Sequence, residues 1–472
     1  MTTEFPKPLT GTTPGLTRRR LLHWGTGLGA GSILAPTLVG CSDATRAPGN
    51  NNDKVTLSVL GFEVSPDEKG TPLDKTYQKF LNDFRAANPN ITIDSKATPP
   101  DFDTKIIVDL AAGTAPDLWS QDASSLAPIV SRKLLLDMRE LTKVQPSLTT
   151  DRFFPSVLEI NRQPDGALYG LPNDFTPVVV YVNKKLLSKT KVPMPTADWT
   201  WDDQLAMAQA MTLDDKGRSA SDAGFDAGSV KQWGYRASKY AYLWVYRVWQ
   251  NGSDLLAPDH TTATGYLDSP ATMEALQWYA DLVVKHKVSP PPSVLDQMTQ
   301  KSSFDAQFLA GSFGMFDSGH WELVGLSDAK DYSEKSVGIL QQPRRKQGAT
   351  VIYQSSFAVR YDLPDQKKAA IAKLVDAATS AGYQDTKAVT GIAISANEKV
   401  ANDTATKGKF ASFDPVYIAT AKDARPPSGS KIAKYPTVEN LLNDMMERIM
   451  KNGDVAGEVP KAVKSINREL GS

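Results

Sequence analysis

VTLSVLGFEVSPDEKGTPLDKTYQKFLNDFRAANPNITI, residues 55–93, holds the pattern that decides the fold class. Val55–Leu60 is a short apolar run, as a buried strand requires. From Asp74 to Ala87 the apolar residues Tyr77, Phe80, Leu81 and Phe84 recur at helical spacing. Ile91–Ile93 is extended again. A helix is expected around Thr104–Ala112 and a further strand at Asp117–Ser120. Strand and helix alternate, so this region is expected to be α/β with a mainly parallel sheet.

Further along, Val178–Val182 (VVVYV) is five apolar residues in a row and predicts a strand covered on both faces. Thr200-Trp201-Asp202-Asp203 predicts a helix start, with Thr capping and the acids at the positive end. Ser269-Pro270 predicts a helix running to about Lys285. Val351–Val359 reads as extended and Leu363–Ala378 as a helix. From about Thr437 to Leu470 two helices are expected, broken near Gly453–Gly457.

The chain has 472 residues, enough for two lobes or more. Apolar residues make up 41% and charged residues 22%, which excludes a disordered chain and a polytopic membrane protein. Lys+Arg and Asp+Glu each number 53, a balance in which nothing suggests nucleic acid as the main partner. One Cys excludes an intrachain disulfide and a Cys-based zinc cluster. The four His (His23, His260, His286, His320) are far apart in sequence, so no metal and no cofactor is expected.

Residues 1–40 resemble an export signal. Arg18 and Arg19 precede Leu21-Leu22 and an apolar, Gly-rich stretch, a pattern similar to a twin-arginine leader. That stretch ends Leu38-Val39-Gly40-Cys41, which resembles a lipobox. The only Cys of the chain thus stands where a diacylglyceryl group would be attached, and several acyl chains would anchor it stably. Residues 41–53 then supply the lipidated Cys and a flexible polar tether. The expected location is the extracytoplasmic face of a bacterial cell membrane.

Five further segments, in order, carry a resemblance. They are Ala111–Leu118 (AAGTAPDL), Tyr169–Pro172 (YGLP) with Val180–Lys184 (VYVNK), Pro195–Asp203 (PTADWTWDD), Phe308–Met315 (FLAGSFGM) and Gly319-His320-Trp321. Together they resemble the extracellular solute-binding proteins of bacterial ABC importers, specifically the carbohydrate-type family. Val182 intervenes where the family usually has Tyr followed directly by Asn, and Gly314 stands for its usual Ala.

The resemblance implies an α/β, two-lobed periplasmic-binding-protein-like fold of type II. The ligand cleft would lie between lobes joined by hinge strands, which cross near 170–177 and 350–357. It implies a first lobe of 54–171 plus 358–400 and a second of 172–350 plus 401–472. The implied protein is a monomeric receptor that passes a sugar, a di- or oligosaccharide, to membrane permease subunits.

Sugars present hydroxyls and apolar C–H faces, so a binder needs aromatic surfaces beside carboxylates, amides or Arg. Tyr240–Trp249 is the densest aromatic run and, as a helix, would offer Tyr242 and Trp244; the family pattern adds Trp321. Ligands gather at the carboxyl ends of parallel strands, which brings in Phe62, Glu63 and Asp122. Asn173, Asp174 and Phe175 lie at the first expected crossing, and Tyr353 and Ser355 at the second. Arg425 and Tyr435 lie in a loop that returns to the cleft in relatives.

Other readings stay open. The same fold serves glycerophosphodiester or polyamine binding, or a sensor lipoprotein. An exported enzyme finds no motif: Gly-x-Ser-x-Gly is absent from the sequence. Ser-x-x-Lys at Ser188, Ser327 and Ser428 lacks the partner motifs of the penicillin-binding enzymes.

Overall fold

The computed structural model describes residues 54–99 and 102–471. The export signal, Arg18, Arg19, Cys41 and the tether lie outside the described residues. The first strand, β1 (Val55–Leu60), pairs in parallel with β2 (Ile91–Lys96) from Val55↔Ile91 to Leu60↔Lys96, and with β3 (Leu118–Asp122). Helix Pro72–Ala87 connects β1 to β2. Thr71 caps it by accepting from the Asp74 N–H (3.2 Å), and Phe80, Leu81 and Phe84 form its buried face.

The chain then runs through β4 (Leu171–Pro172), β5 (Asp174–Pro177) and β6 (Val179–Asn183) almost without a break. β7 (Leu213–Asp214) and β8 (Val230–Gln232) form a small antiparallel pair. β9 (Met315–Ser318) and β10 (Val337–Leu340) flank β6 in an antiparallel sheet, in the order β10-β6-β9. β11 (Thr350–Tyr353) continues into β12 (Ser355–Val359) after the single residue Gln354. β13 (Ile394–Ser395) and β14 (Ala424–Arg425) are short edge strands.

Two sheets and a joint result. The first sheet runs β2-β1-β3-β12-β4, and the joint runs β13-β5-β11-β14 between it and the β10-β6-β9 sheet. The first sheet is less parallel than its opening alternation suggests. β12 lies antiparallel between β3 and β4, because it is the strand that comes back from the other lobe.

β6 shows why the second lobe holds together. All five of its residues are buried. Val179 and Tyr181 face one core with Phe308 and Phe316, while Val180 and Val182 face another with Trp244 and Tyr279. Alternation along one strand therefore feeds two cores. The last two helices, Tyr435–Asn452 and Val455–Leu470, pack on each other and on Pro270–Val284. Gly453 (φ 73°) makes the left-handed stop between them, where a side chain would be strained. The Thr200 cap is present, with Asp203 completing a capping box.

The aromatic run does not form the continuous helix its composition suggests. Ala241–Leu243 is a tight turn, Trp244 breaks it (φ −142°), and the helix proper is Val245–Gln250.

Candidate functional site

β11 ends at Tyr353, and two elements of the second lobe bring rings to it. Trp321 is the second residue of helix His320–Ser327, which follows β9 directly, and its ring meets Tyr353 edge-on at 6.1 Å. Tyr242, in the Ala241–Leu243 turn, meets Tyr353 at 6.2 Å and 90°, and Tyr240 stacks on Tyr242 at 6.0 Å. All four rings are half-buried, so each keeps part of its surface open. Gly319 makes this wall possible: a Cβ there would lie 2.2 Å from the Trp321 ring. Any larger residue would push the indole away.

Charge surrounds the wall. Glu439, one helical turn after Tyr435, has its pKa pushed up to about 7, chiefly by burial and then by the charge of Asp122 at the end of β3. Burial, then Glu439, Tyr435 and Asp122, drive the Tyr353 hydroxyl well above its ordinary range, so Tyr353 stays neutral and able to donate. On the other side, Glu322 accepts from the Ser318 hydroxyl (3.1 Å). Burial and the neighbouring Asp305 push its pKa up to about 8. Arg236 holds its guanidinium 4.6 Å above the Phe304 ring.

The crossing between the sheets is a closed polar network. Asp174 accepts from the Ser355 N–H (2.9 Å) and hydroxyl (2.6 Å) and pairs with Lys387 (3.3 Å). Lys387, 2% exposed, also donates to the Asn173 side chain (2.9 Å) and carbonyl (3.1 Å). Gln384 donates to Asn173 (3.2 Å) and accepts from Ser395 (2.7 Å). Burial lowers the Lys387 pKa. Asn173, Asp174 and Ser355, expected as ligand contacts, are bound to one another here.

The remaining expected contacts divide. Asp122 is exposed; it caps the turn after β3 through the Ser124 N–H (2.8 Å) and faces Glu439. Tyr435 is buried beside Glu439. Glu63 is half-buried and ion-paired with Lys69. Arg425 lies over the Trp249 ring (5.4 Å) and 3.8 Å from Asp254.

Phe62, Phe175 and Trp244 are corrections, since each is in a core. Gly61 (φ +101°) turns the chain after β1, and Phe62 enters a cluster with Phe80 (5.1 Å) and Phe357 (5.6 Å). On β5 the alternation leaves Asp174 and Thr176 half-buried and hides Phe175. Trp244 is fully buried and donates its indole N–H to the Lys239 carbonyl (2.9 Å).

Sequence reasoning missed Glu439, Arg236 and Lys387, and did not single out Glu322. One signal existed: Glu439 lies four residues after Tyr435 at a helix start, hence on the same face.

The model of the family described as bacterial extracellular solute-binding protein matches residues 79–412, and the chain belongs to this family. Its fold is that of two-lobed solute receptors. An ABC substrate-binding protein of Listeria monocytogenes in complex with cycloalternan superposes with a TM-score of 0.72 at 22% identity, over 89% of this chain and all of that one. The sugar-binding protein MalE of Xanthomonas citri gives 0.70 at 16% identity, over 88% of this chain and 98% of that one. A protein of Brucella abortus named as a binding protein is 26% identical over 267 residues, 55% of each chain, so the match spans about half the length of that relative. The galactooligosaccharide-binding protein of Bacillus subtilis is 27% identical over 142 residues, 30% of this chain and 27% of that one.

Proposed function

We propose that this protein is a receptor that captures a sugar, a di- or oligosaccharide, and delivers it to the permease of an ABC importer. The observation that carries this reading is the wall of Tyr242, Trp321 and Tyr353 beside Asp122, Glu439 and Arg236. Rings cover apolar sugar faces while carboxylates and a guanidinium take hydroxyls. The names of the Listeria and Xanthomonas relatives, both sugar binders, support it.

Capture works by hinge closure. Strands β4–β6 and β11–β12 join lobes taken as 54–171 plus 358–400 and 172–350 plus 401–472. A ligand touching both lobes only when they are closed favours closure by its differential affinity. The receptor acts as a monomer, tethered outside the cell by a lipid on Cys41 after twin-arginine export through Arg18 and Arg19. It binds without catalysis and without a cofactor.

A thermal-shift screen with mono-, di- and oligosaccharides, glycerophosphodiesters and polyamines tests the reading. A sugar at 100 times its Kd stabilises the folded state by about 2.7 kcal/mol. A shift with sugars that is lost in Trp321→Ala supports it. A shift only with glycerophosphodiesters or polyamines overturns the sugar assignment.

A further inference from the structure

Arg236 is fixed by its backbone and left open at its tip. Its N–H donates to the Met315 carbonyl (2.9 Å), and it bridges Phe316 on β9. The side chain then lies across Phe304, 4.6 Å to the ring centre. Among the described residues its guanidinium forms no ion pair and no hydrogen bond. Burial lowers its pKa, opposed by Glu322 and by the hydroxyls of Tyr242, Tyr279 and Tyr240. This is a half-buried cation that, among the described residues, has no ion pair of its own.

Glu322 is the nearest acid, and at neutral pH it does not supply the missing charge. It sits against Asp305 and Ser318, with its pKa raised to about 8, so it carries its proton. The other nearby cation, Lys239, is ion-paired with Glu447 (2.5 Å). At the opposite end of the wall stand Asp122 and Glu439. Tyr242 lies between the ends and feels both Arg236 and Glu439. The site is therefore polar along its length, positive at Arg236 and negative at Asp122, with Glu439 about half-ionised at pH 7.

We propose that the ligand is an acidic sugar, one bearing a carboxylate as in a uronic acid residue, and that Arg236 grips this carboxylate at the Phe304 end of the aromatic wall. The inference rests on the sugar-receptor reading and narrows it. A guanidinium fork matches the two oxygens of a carboxylate. The protonated Glu322 offers an O–H rather than a repelling charge, and the Asp122 charge enforces the orientation by repelling the carboxylate from the other end.

The test titrates the full-length chain calorimetrically at pH 6.5 with matched pairs: galactose and galacturonate, glucose and glucuronate, digalactose and digalacturonate. Glucose 6-phosphate and glucosamine are added. The expected result is at least one pair in which the acid binds about tenfold tighter or more. Arg236→Gln should lose that preference while circular dichroism shows it folded. As pH rises from 7 to 9, Glu322 ionises beside Arg236 while Glu439 completes its own ionisation in both proteins, so the acid's affinity should fall in the native protein and fall less in Glu322→Gln.

Equal binding of neutral and acidic partners overturns the inference and leaves the sugar reading standing. So does an Arg236→Gln variant that keeps the preference. Tighter binding of the phosphate or the amine than of every carboxylate overturns it as well. Binding of none of these sugars, with a hit in the wider screen only among neutral sugars, overturns the inference alone; a hit only among glycerophosphodiesters or polyamines overturns both.

Discussion

The hinge and the aromatic wall both hold charge away from bulk water, and they treat it in opposite ways. At the hinge, Asp174 and Lys387 are paired with each other and satisfied by Asn173 and Ser355. On the wall, Glu439 and Arg236 have rings for neighbours and no counter-ion among the described residues. A second buried ion pair, Asp317 with Arg247 (3.1 Å), sits deep in the second lobe; Asp317 also accepts from the Tyr246 hydroxyl (2.8 Å), so here too the buried charges are paired. Desolvated charge survives folding when it is paired. Charge that stays unpaired beside open rings costs stability, and that cost has a function if a ligand supplies the partner.

The comparison is tested most severely at the hinge. Asp174→Ala leaves the Lys387 ammonium buried without its anion and strips Ser355 of two acceptors. Asp174 keeps 23% of its side chain exposed, so water reaches the gap in part. The expected loss is about 3 kcal/mol, the low end for breaking a buried pair, measured as a lower urea midpoint. Glu439→Ala, at the wall, should cost under about 1 kcal/mol by the same measurement. Equal losses would mean that the two regions do not differ.

A middle-sized effect is expected in binding. Trp321→Ala removes one face of the wall and should weaken a sugar found in the screen by about ten- to thirtyfold, roughly 1.4–2 kcal/mol. Gly319→Ala tests how the ring is placed. Its new Cβ would fall 2.2 Å from the indole, so the ring must swing away. Its affinity loss should approach that of Trp321→Ala although no ring has been deleted. An unchanged affinity in Gly319→Ala would show that the ligand does not touch Trp321 in this position.

Much of the fold was legible because local rules sufficed. Five apolar residues in a row could only be a strand with two covered faces, as β6 is. Thr200 with Asp203, and Ser269 before Pro270, are helix starts by chemistry. The insertion of β12 between β3 and β4 was not legible, since strand order depends on pairings between residues far apart in sequence. The site was half legible for a related reason. Tyr242, Trp321 and Tyr353 emerged from composition and family pattern. Phe175 did not behave as expected, because a shift of one residue along a strand reverses the face, and Phe62 did not because the Gly61 turn carries it into the core. Arg236, Lys387 and Glu439 belong to no motif. Whether a charge is paired is a property of packing, and the sequence does not display it.

The smallest effect is the sharpest test of the word unpaired. An acid whose folded-state pKa is raised binds more protons folded than unfolded between its ordinary value and the raised one. Stability therefore falls as pH rises across that window and stays lower above it. For Glu439 the window runs from its usual 4.5 to about 7. Glu439→Gln cannot ionise, so its thermal midpoint should fall less than that of the native protein between pH 5 and 7. At pH 8 the variant should be the more stable of the two, by no more than about 1 kcal/mol, because the group is half-exposed and screened. The Glu322 titration, which extends to about 8, remains in both proteins and sets a common slope above pH 7. Asp122→Asn should reproduce part of the flattening, since the Asp122 charge raises the Glu439 pKa. If Glu439→Gln is instead the less stable protein at pH 8, the Glu439 carboxylate is held by favourable partners. The wall would then be built like the hinge.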